Sequence, residues 1–573
     1  MKKRILSRTV LSVAISFVLI AVGLPAQARE PVSARNAMAA SQHPIASAIG
    51  AGIMKKGGNA VDAAIAVGFA LAVVYPEAGN IGGGGFMVIR LSDGSTAAID
   101  YREMAPKAAS RDIFLDEKGN PIRGEGGSVI GYRSAGVPGT VAGFEMAFKK
   151  YGSGKIKWSE LVEPARKLAA EGFVLTRRDA NLLKAYKDNL KMYEDSNRIF
   201  LNGGDHFEAG DRLVQKDLSE TLARIRDSGA RGFYEGTTAR LIAEDMKRNN
   251  GLITLEDLKN YKAVERKPVE GSYRGHKIIS MPPPSSGGIV LLQVLNILER
   301  FEVKPLGFNS AAKNHLLVEA MKRAFADRAE LMGDPDFADV PAGRLLEKSY
   351  AANRGESIRK DRATPSTEIK AGIEPAPESM DTTHYSVVDK DGNAVANTYT
   401  INNIYGSAVT AKGTGVLLND EMDDFASQPG KANMFGLVQG EANAVEPGKR
   451  PLSSMTPAIV LRPDGSVWFA VGARGGPRII TAVIHTVINS VDHGMDIQEA
   501  IDAPRIHHQW LPDQIFYEPY GLSDDTRLVL EGYGHRFANS PGYIASATAV
   551  AIDEDGFRIG VIDRRSDGEA VGY

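Results

Sequence analysis

The stretch TTHYSVVDKDGNAVANTYTIN, from Thr382 to Asn402, reads as one β-hairpin. Alternating, β-branched segments flank the turn-rich Asp389-Lys390-Asp391-Gly392-Asn393, which marks two strands and a loop. With Val388 facing Ala394 across a five-residue loop, Thr382 faces Thr400. Side chains alternate faces along a strand, so Thr382, Thr400 and Asn402 share one side of the ribbon, and a slip of one residue would destroy the pairing.

A threonine hydroxyl is a poor nucleophile unless a base takes its proton. The nearest base to Thr382 is its own α-amino group, once the chain is cut between Asp381 and Thr382. Such an amine, with a reference pKa of about 7.7 to 8.0, keeps a useful unprotonated fraction near neutrality. On the hairpin alone, a cross-strand packing pair is the commoner use of two facing threonines.

Working outward, the chain has 573 residues, 43% hydrophobic and 24% charged, with a formal net charge of -2. This is ordinary for a globular protein and gives no electrostatic reason to expect nucleic acid, so a small-molecule partner is expected. Lys2, Lys3, Arg4 and Arg8 precede an apolar run from Val10 to Leu24 and then Ala26-Gln27-Ala28, the layout of a secretory signal peptide cleaved after Ala28. The run is shorter than the roughly 20 residues a membrane span needs. A bacterial periplasmic or secreted location follows. The chain has no cysteine, which excludes disulfides, a thiol nucleophile and Cys-based metal sites.

His43-Pro44 opens a helix that Gly57-Gly58 stops, and Asn59 caps a second, alanine-rich helix through Val74. Phe86–Leu91 and Ser95–Asp100 read as a hairpin after the glycine run Gly82–Gly85. Leu218–Asp227 and Thr237–Lys247 have helical spacing. The Pro-, Glu-, Ser- and Lys-rich stretch from Gly355 to Asp381 reads as an exposed connector, and Gln428–Arg450 as an irregular loop of the length that often covers a site. Strands are expected at Ala458–Arg462 and Val467–Val471, with helices at Ile479–Val491 and Ile497–Ala500.

Several segments carry further chemistry. Arg102, past a strand end, has the planar fork that binds carboxylates, although a surface ion pair with Glu103 is its commoner use. Asn419–Phe425 concentrates acids able to hold an ammonium group or to cap a helix. Pro451–Pro457 offers the paired hydroxyls of Ser453 and Ser454. Gly475-Gly476, after a strand, can present backbone N–H groups to an oxyanion or form a plain tight turn.

Taken together and in this order, TTHYSVVD, EMDDF, KRPLSSMTP and APRIHHQWLPD, with NIGGGGFM and DYREMAP in the amino-terminal part, resemble the γ-glutamyltransferase family over nearly all of the chain after the signal. Pro282–Gly288 is a further family-like stretch, taken as structural.

The resemblance implies an α/β N-terminal-nucleophile hydrolase fold, a four-layer αββα sandwich with two stacked central sheets. It implies a signal at 1–28, a large subunit at 29–381 and a small catalytic subunit at 382–573, intertwined as one domain. Thr382 would attack the Asp381 carbonyl, pass through an ester and emerge as a new amino terminus. It would then attack the γ-amide of glutathione or a similar compound, and water, an amino acid or a short peptide would resolve the γ-glutamyl ester. By matching position, Thr400 would orient Thr382, and Arg102, Ser453 and Ser454 would hold the substrate carboxylate. Asn402, Glu421 and Asp424 would hold its ammonium group, and Gly475 and Gly476 would form the oxyanion hole. No cofactor is implied.

The chain departs from the family pattern at four places. Ala473-Arg474 precedes Gly475 where Ser-Pro is common, Phe435 replaces a frequent lid tyrosine, Asn397 replaces an apolar residue, and Asp563-Arg564-Arg565-Ser566 replaces an Asp-Pro-Arg pattern. Two other functions compete: a cephalosporin or glutaryl acylase of the same superfamily, disfavoured by retention of Arg102, Glu421 and Asp424, and a catalytically dead secreted binding protein, which would need damage at Thr382, Thr400 or Gly475-Gly476. A serine hydrolase lacks its G-x-S-x-G motif. The Gly82–Gly85 run is not a phosphate loop, since no Lys-Ser/Thr follows. His507-His508 has no companion ligand spacing and is read as structural, so no metal dependence is expected.

Overall fold

The computed structural model describes residues 30–370, 382–428 and 439–573. The signal segment, Asp381 and Phe435 therefore lie outside the described residues, as do residues 429–438 of the expected loop cover.

The hairpin register is the one its loop length predicts. Val388 pairs with Ala394 and Thr383 with Tyr399, which sets Thr382 opposite Thr400. Asp389 closes the loop by donating its N–H to the Asn393 carbonyl at 3.1 Å, while its carboxylate accepts the N–H groups of Asp391 and Asn393. Gly392 takes the positive φ of 84° that the turn requires.

Around this hairpin runs a seven-stranded antiparallel sheet in the order Glu569–Gly572, Met38–Ser41, Thr383–Val388, Ala394–Thr400, Gly84–Arg90, Thr96–Tyr101, Val264–Arg266. A second seven-stranded sheet has the order Val32–Ala34, Arg558–Ile562, Ser546–Ile552, Val467–Arg474, Ala458–Leu461, His276–Ser280, Val269–Tyr273. Each sheet takes strands from both sides of the 381/382 junction.

Alternation along Thr383–Val388 explains the layering. Val388 joins the core between the sheets, with Phe86, Val88, Val471 and Ala549. Tyr385 and Val387 face the other way, into a core shared with the helices Pro44–Lys55, Ala60–Val74 and Thr140–Tyr151. Helices Gly287–Leu298, Ala311–Leu331 and Arg478–Val491 pack on the far side of the second sheet. The result is the αββα sandwich implied by the family resemblance. The two sheets meet closely where His384 lies over Gly472, since a Cβ at Gly472 would sit 2.3 Å from the imidazole.

Most elements match the sequence reading within a residue or two. Asn59 caps Ala60–Val74 through a reciprocal capping box with Asp62. The strand expected at Val467–Val471 continues to Arg474, because Gly472–Arg474 go on pairing with Thr548–Ser546 of the neighbouring strand.

The stretch from Gly355 to Lys370 is not the exposed connector expected. Ile358, Ala363 and Ile369 are buried, and Ser366 exchanges hydrogen bonds with Trp510, its hydroxyl donating to the Trp510 carbonyl at 2.7 Å and its carbonyl accepting the indole N–H at 3.0 Å. Polar composition misled here because the polar groups find partners inside the fold.

Candidate active site

The site is built where the inner sheet ends. Thr382, just before its strand, is 5% exposed and lines a narrow cavity that opens to solvent. Arg102, Arg328, Thr400, Asn402, Glu421, Asp424, Ser453, Ser454 and Gly476 line the same cavity. Residues spread over nearly 380 positions of sequence thus converge on one hydroxyl.

Thr400 is held from two directions. Its Oγ1 accepts the Asn402 N–H at 2.9 Å, and its carbonyl accepts Asn80 Nδ2 at 2.8 Å. Asn80 Oδ1 also accepts the Gly83 N–H and the Thr140 hydroxyl, so the glycine run is locked against the end of the Ala394–Thr400 strand. A Cβ on Gly83 would lie 2.1 Å from the Thr400 carbonyl oxygen, which is why glycine stands there. Asn402 reaches the cavity from beyond the strand, in a left-handed turn with φ of 73°, rather than by simple alternation. Its Nδ2 donates to the Asp420 carbonyl at 3.1 Å.

Arg102 is a buried residue, not a surface ion pair. Its two terminal nitrogens bond Glu421 and Asp424, and its Nε donates to the Pro451 carbonyl at 3.2 Å. Burial disfavours its charge, but the carboxylates of Glu421, Asp424 and Glu103 outweigh this and hold its pKa above the ordinary value. Glu103 lies 3.7 Å from Arg102, with neither carboxyl oxygen hydrogen-bonded to the described residues. Burial pushes it up to about 7 against the pull of Arg102. Burial also raises Glu421, although Arg102 opposes this. These directions conflict with the raised arginine if every group is ionised. One guanidinium facing three carboxyls reconciles them: Glu103 and Glu421, both pushed up by burial, share a proton between them beside Arg102.

Asn419 fixes the acidic turn Glu421–Asp424. It donates to the Gly82 and Gly136 carbonyls, both at 2.8 Å, and its Oδ1 accepts the N–H groups of Gly136 and Glu421. The Ser453-Ser454 turn is cradled by Pro282–Gly288. Ser453 and Pro284 are joined by a backbone bond of 2.9 Å, Ser286 N–H donates to the Ser453 carbonyl at 2.8 Å, and the Ser286 hydroxyl donates to the same carbonyl at 2.7 Å. That motif, read as structural, positions the hydroxyls.

Gly475 and Gly476 stand between the strand Val467–Arg474 and the 14-residue helix Arg478–Val491, with φ of 129° and 54°. Only glycine takes both angles at little cost, and the positive end of the helix dipole lies directly behind the turn. Gly476 lines the cavity; Gly475 packs behind it, against Ala545. Backbone donors at a helix start suit a developing oxyanion.

His384, two residues after Thr382, is engaged at both nitrogens, by Thr398 Oγ1 at 2.7 Å and Ser386 Oγ at 2.9 Å, and burial pushes it down to about 3. Asn397 lies on the opposite face from Thr382 as expected, accepting the Tyr101 hydroxyl at 2.6 Å. Arg474 donates to the Tyr75 hydroxyl at 2.8 Å. Asp563 and Arg565 belong to a buried ion network with Arg505 and Glu518. His507 bonds Thr481 and Gln509, which is structural use. Among the described residues, one group has metal-like spacing: His315, Glu319 and His535. These are already partnered, with Glu319 held by Arg323 and the Thr364 N–H, and His315 by His535 and the Arg359 carbonyl.

Two stacked antiparallel sheets between helical layers, with a threonine at the head of an inner strand facing a Gly-Gly turn, define the architecture of an N-terminal-nucleophile hydrolase. The Gamma-glutamyltranspeptidase family model matches residues 46–573, and the chain belongs to that family. It is 49% identical over 556 residues to the glutathione hydrolase proenzyme of Escherichia coli (strain K12), covering 97% of this chain and 95% of that one. The crystal structure of Helicobacter pylori gamma-glutamyltranspeptidase matches at 49% identity and a TM-score of 0.56, covering 58% of this chain and 94% of that one. The cephalosporin acylase of Bacillus halodurans superposes with a TM-score of 0.83 at 26% identity, covering 98% of this chain and 99% of that one.

Proposed function

We propose that this chain is a γ-glutamyltransferase and glutathione hydrolase, exported to the periplasm or beyond and cut between Asp381 and Thr382 into subunits of residues 29–381 and 382–573. The observation that carries the reading is the charge pattern around Thr382: Arg102 and Arg328 with two serine hydroxyls, beside two carboxylates and an asparagine. A γ-glutamyl group ends in an α-carboxylate and an α-ammonium, so it needs both signs at fixed spacing. Arg102, Ser453 and Ser454 take the carboxylate; Glu421, Asp424 and Asn402 take the ammonium. A glutaryl side chain has no ammonium for Glu421, Asp424 and Asn402 to hold, which disfavours the acylase reading.

In processing, Thr382 Oγ attacks the Asp381 carbonyl carbon, the C–N bond breaks to free the Thr382 amine, and water hydrolyses the resulting ester to release the Asp381 carboxylate and restore the Thr382 hydroxyl. In turnover, that amine takes the hydroxyl proton as Oγ attacks the γ-amide carbon. Thr400 orients the hydroxyl, and the N–H groups of Gly475 and Gly476 receive the oxyanion. The proton passes to the departing amine, leaving a γ-glutamyl ester. Water then yields glutamate; an amino acid or short peptide amine yields a new γ-glutamyl amide.

The test compares wild type with Thr382→Ala by intact mass and by release from a chromogenic γ-glutamyl anilide. Two fragments and activity are expected for the former, and one uncut, inactive chain for the latter. Normal cleavage of the variant would sink the proposal. Thr382→Ser should mature, more slowly, since it keeps the hydroxyl and the amine.

A further inference from the structure

Arg328 takes no part in the steps above, yet it stands in the cavity with Thr382. It lies near the end of the helix Ala311–Leu331, a helix whose residues 313–329 are all buried. Its Nε donates to Ser286 Oγ at 2.8 Å and its Nη2 to Ser454 Oγ at 3.2 Å. Nη1 is buried and has no hydrogen-bond partner among the described residues.

An arginine has five donors in a rigid fork, and leaving a charged one unmet in a buried site is costly unless something arrives to meet it. The two arginines of the cavity differ sharply in this respect. Arg102 has Glu421 and Asp424 bonded directly to it, while Arg328 has only neutral hydroxyls. Desolvation lowers Arg328 to about 10, with Asp424 opposing at longer range and Arg102 adding repulsion, so it stays charged at neutral pH but under-compensated. The neighbouring Ser454 is already assigned to an anion. An anionic group in this corner would meet Nη1 and the Ser454 hydroxyl together, in the forked geometry that guanidinium and carboxylate share.

We propose that Arg328 is a second cationic ligand of the substrate α-carboxylate, with Nη1 donating to the carboxylate that Arg102, Ser453 and Ser454 also hold. On this assignment Arg328 selects for donors and products that carry the α-carboxylate. Arg102 is then free to be shared between the substrate and the acids that hold the ammonium. The inference rests on the γ-glutamyl reading and adds a specificity residue to it.

The test uses the processed enzyme and measures binding by calorimetry, which needs no turnover. L-Glutamate is compared with 4-aminobutyrate, which lacks the α-carboxylate, in wild type, Arg328→Gln and Arg328→Lys. Hydrogen bonds to charged groups are worth enough that glutamate should bind roughly ten- to a hundredfold more weakly to Arg328→Gln, with 4-aminobutyrate unchanged and Arg328→Lys intermediate. Equal weakening of both ligands, or of neither, overturns the assignment, because an arginine that only braces Ser286 and Ser454 does not distinguish them. If Arg328→Gln does not accumulate as processed protein, the same ratio in Arg328→Lys decides. A wild type that binds glutamate no better than 4-aminobutyrate overturns the γ-glutamyl reading itself.

Discussion

Replacing Glu103 by glutamine should make the protein more stable, although Glu103 sits beside an arginine. Burial raises the Glu103 carboxyl from 4.5 to about 7. Below about pH 4.5 the folded and unfolded chains both hold this proton, and the replacement changes nothing through ionisation. Between there and about pH 7 the unfolded chain releases the proton while the folded chain keeps it. Wild-type stability therefore falls as pH rises, by about 1.4 kcal/mol per pH unit. Over a window of about two and a half units the deficit reaches at most roughly 3 kcal/mol, and above about pH 7 it is constant. Glutamine does not titrate, and its amide can donate to Glu421 Oε2, which has no partner among the described residues. The assay is urea unfolding in a Thr382→Ala background, where an uncut chain keeps unfolding unimolecular, at about pH 4.5 and about pH 8. The difference between Glu103→Gln and its parent should be near zero at the lower pH and on the order of 2 to 3 kcal/mol at the higher. A variant that is less stable at about pH 8, or a difference independent of pH, would refute the reading that Glu103 and Glu421 hold a proton between them.

Arg102→Lys keeps the charge but cannot bridge Glu421 and Asp424 with one planar fork, so kcat/KM for a γ-glutamyl anilide should fall roughly tenfold or more; an unchanged value would remove Arg102 from substrate binding. Gly83→Ala puts a Cβ against the Thr400 carbonyl, and the shift it forces should cost about 1 to 3 kcal/mol in the same urea assay and slow maturation as read by intact mass; wild-type stability would contradict the packing described.

The hairpin, its register and its facing threonines were legible in sequence because a two-fold periodicity and a short loop are local properties. The helix Ala60–Val74 was legible for the same reason, from its cap and its apolar run. The chemistry of the site was legible only through the joint order of several motifs, since each motif alone has a commoner, structural use. Arg328 gave no such signal. The helix Ala311–Leu331 carries Lys313, Glu319, Lys322, Arg323, Asp327 and Arg328, all buried. A charged helix reads as solvated when its partners lie elsewhere in the chain. The stretch 355–370 was misread on the same ground.

The sequence by itself determined the hairpin that carries Thr382, the candidate nucleophile, and, through family likeness, the sandwich around it. Only the tertiary structure decided how charge is distributed around Thr382. It buried Arg102 among three carboxyls, left Arg328 with an unmet donor in the same cavity, and made Pro282–Gly288 the cradle of Ser453 and Ser454. The physical reason is that desolvation and Coulomb attraction depend on distances across the fold, and residues far apart in sequence set those distances.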